Sequence, residues 1–222
     1  AGELEGIRRL SYSGTELLLA ARDVVVAEVT TRDIDRGAAP HFLLKEITEA
    51  PESFRKTLRG KIIESDAMLR AVVGARSLPA FIAERLATGA IRRVLVIGQG
   101  TAAIAGRSMA ATLATLTEGG LDVDPVVATE LSGFGMRLDM SDTLVVAVSQ
   151  SGTTTDTNRT VDLVRGRGAC VIGIVNRRNS DLTDKADGVL YTSDGRDVEM
   201  SVASTKAFYA QVAAGALLAC AI

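Results

Sequence analysis

Tryptophan is absent, histidine occurs once, and the 222 residues hold only two cysteines and four prolines. Each scarcity excludes something. One histidine, His41, and two such cysteines cannot assemble a metal cluster, so no metal is expected. Cys170 and Cys220 both sit in apolar runs, GACVIGIV and LLACAI, which predicts buried, reduced thiols and no disulfide framework. Charge of either sign is not in excess: 25 Lys and Arg stand against 27 Asp and Glu. No basic stripe is interleaved with aromatics, which are 4% of the chain, so neither nucleic acid nor an acidic membrane surface is an expected partner. No apolar run is long enough to span a bilayer, and no basic, apolar, small-residue leader opens the chain. A cytoplasmic protein is expected.

What is present is a chain 47% hydrophobic with 21 glycines, long enough to bury a real core. Its pattern divides in three. Residues 1–38 read as a β-rich appendage, the remnant of a preceding domain: IRRLSYSGTELLL, broken by a Ser13-Gly14 turn, and then DVVVAEVTT. Residues 39–90 read as a helical linker and further helices. HFLLKEITEAPESFRKTL is an amphipathic helix expected to be interrupted near Pro51, and a broken helical stretch is expected over 63–89. The closing helix pattern, VASTKAFYAQVAAGALLACAI, has no glycine, asparagine or basic stop, and the opening AGELEG has no initiator methionine. Both ends suggest a piece of a longer protein.

Residues 91–222 follow another grammar. VLVIG (94–98), PVVAT (125–129), TLVVAV (143–148), CVIGIV (170–175) and GVLYT (188–192) are short apolar runs without alternation. Helix-period segments over 101–117, 153–166 and 180–186 separate most of them. Unalternated runs between helices predict strands buried on both faces, hence a three-layer, doubly wound α/β fold with a five-stranded parallel sheet.

In such a sheet ligands bind beyond the carboxyl ends of the strands, and three of those ends carry chemistry. Ser149-Gln150-Ser151-Gly152-Thr153-Thr154 leaves a strand and enters a helix. Helix starts present unsatisfied N–H groups and a partial positive charge, and hydroxyls add uncharged donors, so the segment suits a phosphate. An ordinary N-cap would need one hydroxyl, not the five found over residues 149–155. Gly98-Gln99-Gly100-Thr101-Ala102-Ala103 fits G-x-G-x-x-A, the dinucleotide fingerprint, with Glu130 closing the next strand as the candidate ribose acid. Glu199-Met200-Ser201-Val202-Ala203-Ser204-Thr205-Lys206 opens the last helix. There Ser204 and the main chain could close over a sugar, with Glu199 taking hydroxyls and Lys206 pairing charge; a solvated lysine on a capped helix is the plain alternative. Asp156 favours a helix dipole, His41 suits a local hydrogen bond, Arg177 and Arg178 suit the rim, and Cys170 suits the core with nothing nearby to lower its pKa.

Four segments in order, HFLLKEITEAP, IGQGTA, SQSGTTTDT and VASTKAF, resemble the sugar-isomerase (SIS) family, a flavodoxin-like fold. More narrowly, residues 41–222 resemble the first such domain of glutamine–fructose-6-phosphate aminotransferases. The resemblance implies that Ser149, Gln150, Ser151 and Thr154 hold the phosphate of fructose 6-phosphate or glucosamine 6-phosphate. It implies that Thr101 adds to them and that the main chain at Val202 and Ala203 approaches the sugar. Ala102 stands where the family commonly has serine, and Thr153 where glutamate is frequent. It further implies pairing of SIS domains into a homodimer, no cofactor, and isomerisation by a glutamate, a lysine and a histidine of a second sugar domain, with ammonia from a glutaminase. Within this chain the acid–base candidates are Glu199 and Lys206, and binding without turnover is the expectation. Two rival readings stand: a non-catalytic phosphosugar sensor, and an NAD(P)-binding Rossmann domain.

Overall fold

The computed structural model describes residues 8–11, 13–20 and 34–222. Near the N-terminus, β1 (Arg9–Leu10) and β2 (Glu16–Leu17) pair antiparallel across the expected Ser13-Gly14 turn. The run DVVVAEVTT lies outside the described residues.

The first helix, α1 (Phe42–Leu58), starts where His41 turns extended and its Nδ1 accepts from the Leu44 N–H at 3.2 Å. It does not break at Pro51. Proline removes one bond to the carbonyl four residues back, here that of Ile47. Both residues lie on the exposed side of the helix, where water can take the freed carbonyl. The buried stripe of α1 is mostly polar: Glu46, Ala50, Ser53 and Thr57.

A second correction concerns residues 63–89. Instead of broken helix, β3 (Ile62–Ser65) and β4 (Met68–Ala71) form an antiparallel hairpin. Its two-residue turn puts Asp66 and Ala67 in the left-handed region, φ 54° and 58°, the twist that closes such hairpins. Only α2 (Ala80–Ala87) is helical there.

The remaining strands are β5 (Arg93–Gly98), β6 (Asp122–Val127), β7 (Thr143–Ser149), β8 (Cys170–Val175) and β9 (Gly188–Tyr191). They form the expected five-stranded sheet, parallel throughout, in the order β6-β5-β7-β8-β9. The intervening helices are α3 (Thr101–Leu116), α4 (Ala128–Glu130), α5 (Thr155–Arg165), α6 (Asp181–Lys185) and α7 (Lys206–Ala221). Alternate strand residues feed two cores. Val96, Val146 and Ile172 pack with Met109 and Leu113 of α3 and Leu218 of α7, while Leu95, Val145 and Val171 pack with Val161 and Val164 of α5. Every residue of β5 after Arg93, and all of β7 and β8, is buried. The edge strand β6 is half-exposed, contrary to the expectation that all five are covered on both faces. An edge also tolerates Pro125, which has no N–H for a second neighbour.

The alanine-rich face of the last helix is used within the chain. Ala207, Ala210, Ala214 and Leu218 of α7 are all buried, and the helix packs on α3 and α1.

Candidate functional site

In the order β6-β5-β7-β8-β9, the chain steps outward in one direction from β5 and in the other from β7. The crevice at such a switch point lies between the loops that follow these two strands. A cleft of about 240 Å³ opens there, lined from all three segments singled out in the sequence.

From the loop after β7, Ser149, Gln150, Ser151 and Thr154 line the cleft. Ser149 is buried at the strand end, and its Oγ accepts from the Gly152 N–H at 3.0 Å. Ser151 Oγ accepts from the Thr153 N–H at 3.2 Å and from its hydroxyl at 3.0 Å. Asn158 Nδ2 donates to the carbonyls of Gly152 and Thr154, at 3.0 and 3.1 Å. The loop is therefore braced by its own side chains before any ligand arrives. Thr154 is the N-cap of α5, yet its side chain makes no capping bond, so it leaves the first-turn N–H groups without a side-chain cap.

From the glycine turn come Gln99, Thr101 and Ala102. A Cβ on Gly98 would lie 2.9 Å from the Ala103 nitrogen and 3.1 Å from the Val148 carbonyl. The glycine thus lets the start of α3 press against β7, which is a packing reason for the motif. Glu130 does not close a strand: β6 ends at Val127, and Glu130 is exposed in α4, outside the cleft. The dinucleotide reading loses its ribose acid.

From the third segment, Glu199, Ser201, Val202 and Ser204 line the cleft, while Ala203 is exposed beside it. Glu199 acts first as a cap of α7. Its Oε1 accepts from the Thr205 N–H at 2.8 Å, the Thr205 hydroxyl at 3.0 Å and the Ala207 N–H at 3.0 Å, leaving Oε2 with a long bond from Ser204 at 3.4 Å. Lys206 is neither solvated nor directed at the cleft. It is 5% exposed and pairs with Glu49 of α1 at 2.6 Å, on a neighbouring surface also lined by Lys45, Lys56 and Arg196.

Electrostatics sort the two ends of the sheet. At the opposite, N-terminal edge, Asp142 is pulled down to about 2, first by the hydrogen bond from Arg137, with Arg92 also beside it. The cleft holds one ionisable group, Glu199, and otherwise presents amides and hydroxyls. An anion there meets oriented dipoles rather than a counter-charge.

Other expectations resolve locally. His41 caps α1 as described. Arg178 donates to the Asp194 carbonyl at 2.8 Å and lies over the Tyr191 ring, 4.6 Å from its centroid. Asp156 sits in the first turn of α5. Cys170 is buried, but Cys220 is exposed in the last turn of α7, because the helix turns that residue off its packed face. Cys170 also has a neighbour the sequence did not reveal: Arg85 Nη1 lies 2.8 Å from its sulfur. Burial still outweighs the guanidinium and pushes the thiol up.

Two contributors were not singled out from the sequence. Glu46 of α1, 1% exposed, accepts from the Ser201 N–H at 3.2 Å and from the Ser201 hydroxyl, and also from the Met200 N–H. Gln211 of α7 lines the cleft from beneath. For Glu46 no local signal exists, since its partners lie over 150 positions away. Gln211 was visible as a lone amide in the alanine-rich run AFYAQVAAG.

Compared with known proteins, residues 90–221 match the model of the SIS domain. The chain belongs to the SIS domain family. It is 41% identical over 184 residues to glutamine–fructose-6-phosphate aminotransferase [isomerizing] of Aeropyrum pernix, covering 83% of this chain and 27% of that protein. It is 36% identical to the enzyme of the same name from Symbiobacterium thermophilum, covering 96% of this chain and 34% of that protein. The chain thus spans about a third or less of the length of these relatives. Among solved structures, the C-terminal domain of glucosamine-fructose-6-phosphate aminotransferase from Francisella tularensis superposes with a TM-score of 0.66 at 25% identity, over 83% of this chain and 48% of that one. Glucosamine-6-phosphate deaminase from Thermotoga maritima, at 18% identity and a TM-score of 0.60 over 81% of this chain and 48% of its own, shares the fold. Among the described residues no helix of this SIS domain is long and apolar enough to cross a membrane.

Proposed function

We propose that this SIS domain binds a hexose 6-phosphate, fructose 6-phosphate or glucosamine 6-phosphate, with its phosphoryl group on the open N-terminus of α5. The observation that carries this reading is the uncapped first turn of an 11-residue helix at the switch point, ringed by Ser149, Gln150, Ser151 and Thr154 in a cleft without a cation. Thr101 adds a hydroxyl from the glycine turn, whereas Ala102 cannot. The carbon chain of the sugar runs toward Val202, Ala203, Ser204 and the weakly bonded Oε2 of Glu199.

Turnover is not part of this reading for the 222-residue chain. Glu199 is engaged in capping α7 and Lys206 is bonded to Glu49, so neither stands ready to move protons at C1 and C2. The sequence similarity to enzymes three times longer supports a place within a glutamine–fructose-6-phosphate aminotransferase (isomerizing) that makes glucosamine 6-phosphate in the cytoplasm. Homodimerisation belongs to the same reading and rests on the family resemblance.

The test is titration calorimetry of wild type and of Ser149→Ala combined with Ser151→Ala. A hydrogen bond to a charged group contributes about 1.5–3 kcal/mol. The double variant is therefore expected to bind fructose 6-phosphate about 100-fold or more weakly. A wild type that binds neither sugar phosphate better than inorganic phosphate overturns the proposal.

A further inference from the structure

Among the described residues, eight have a buried side-chain polar atom without a hydrogen-bond partner. Two of them, Gln99 and Gln211, line the cleft. Gln211 is the sharper case. It is 3% exposed, it sits in an α7 face of Ala207, Ala210 and Ala214, and its Oε1 touches no donor. A buried amide without a partner is destabilising, and an apolar residue of the same size would avoid that cost. Such a group at the floor of a cleft is suited to a partner that comes and goes.

We propose that Gln211 is a specificity-determining residue that hydrogen-bonds a hydroxyl or amino group on the carbon chain of the bound phosphosugar. This rests on the phosphosugar reading above and deepens it. The phosphate end of the cleft offers donors, namely the α5 amides and the hydroxyls of Ser151 and Thr154. Gln211 offers an acceptor instead, its own Oε1, and the same cleft is lined by Glu199, whose Oε2 takes only a long bond from Ser204 at 3.4 Å. Inorganic phosphate, seated on the α5 amides, has no carbon chain to carry a donor along the cleft to Gln211. A polyhydroxylated chain has donors to spare, and because a hydroxyl both donates and accepts, the match holds whichever way the amide is turned.

The experiment compares wild type with Gln211→Leu and Gln211→Met, both close in volume and both lacking the amide. In melts without ligand, either variant is expected to gain about 2 °C or more, because an unpaired buried group is removed. In calorimetry, fructose 6-phosphate is expected to bind about threefold to tenfold more weakly, with inorganic phosphate unchanged. Undiminished sugar affinity would overturn the inference and leave the phosphosugar reading standing, since the amide would then be satisfied by water alone. Equal losses for sugar phosphate and inorganic phosphate would overturn it too, because the amide would then only shape the cleft. Failure of the wild type to prefer fructose 6-phosphate over phosphate would remove both readings before any substitution is compared.

Discussion

Gly152→Ala is expected to destabilise the chain by about 3 kcal/mol or more and to reduce hexose phosphate affinity at least about 100-fold. Two costs add. Gly152 has φ +66°, a region where a Cβ costs about 1–2 kcal/mol. The new Cβ would also fall 2.0 Å from Ser180 Oγ, 2.7 Å from Ser180 Cβ and 3.0 Å from a Val175 methyl. The serine hydroxyl can rotate away, but its Cβ is fixed to the N-cap of α6 and Val175 is 0% exposed in the core. The loop must therefore move, and the amides leading into α5 move with it. Urea unfolding and calorimetry read the two losses. Adding Ser180→Gly, which costs a cap only a few tenths of a kcal/mol, should restore part of the stability by clearing the clash while the φ penalty stays. Wild-type stability and affinity in Gly152→Ala would contradict the packing described for this turn.

Glu46→Ala is expected to have the second-largest effect and a different signature. Its carboxylate, from α1, holds the main chain of Met200 and Ser201 and the Ser201 hydroxyl. A hydrogen bond to a charged group contributes about 1.5–3 kcal/mol, and the removed methylenes leave a small void. A stability loss of about 2–4 kcal/mol follows. The loop 199–204 loses its tie to α1, so fructose 6-phosphate affinity should fall about tenfold or more. Inorganic phosphate, which needs only the β7–α5 loop, should bind as before. Equal losses for the two ligands, or none for the sugar, would show that α1 does not position the sugar loop.

These two residues mark the limits of what the sequence discloses. The sheet was readable because β5, β7 and β8 are covered on both faces, which forces unbroken apolar runs such as TLVVAV. The SQSGTTT segment stood out because its hydroxyls exceed the needs of one cap, and the structure brings Ser149, Gln150, Ser151 and Thr154 to one cleft. Gly152 was visible as a glycine, but Ser180 as its obstacle was not, since that contact arises only when the start of α6 folds over the β7 loop. The hairpin β3–β4 went unread because its apolar residues, Ile62, Ile63, Met68 and Leu69, are exposed and follow no burial period. Lys206 was left between solvent and site because its partner, Glu49, lies 157 positions away. Long-range pairs of this kind carry no local pattern, and the loop 199–204 is held by one of them, Glu46 with Met200 and Ser201.

The central claim is that neutral donors at the open end of α5 hold a sugar's phosphoryl group. The most direct measurement is a crystal structure of the chain soaked in glucosamine 6-phosphate. The account predicts phosphate oxygens within about 3 Å of the first-turn amides of α5 and of the Ser149, Ser151 or Thr154 hydroxyls. Phosphate density beside Lys45, Lys56 and Arg196 instead, with the cleft at the end of β7 unfilled, would contradict it.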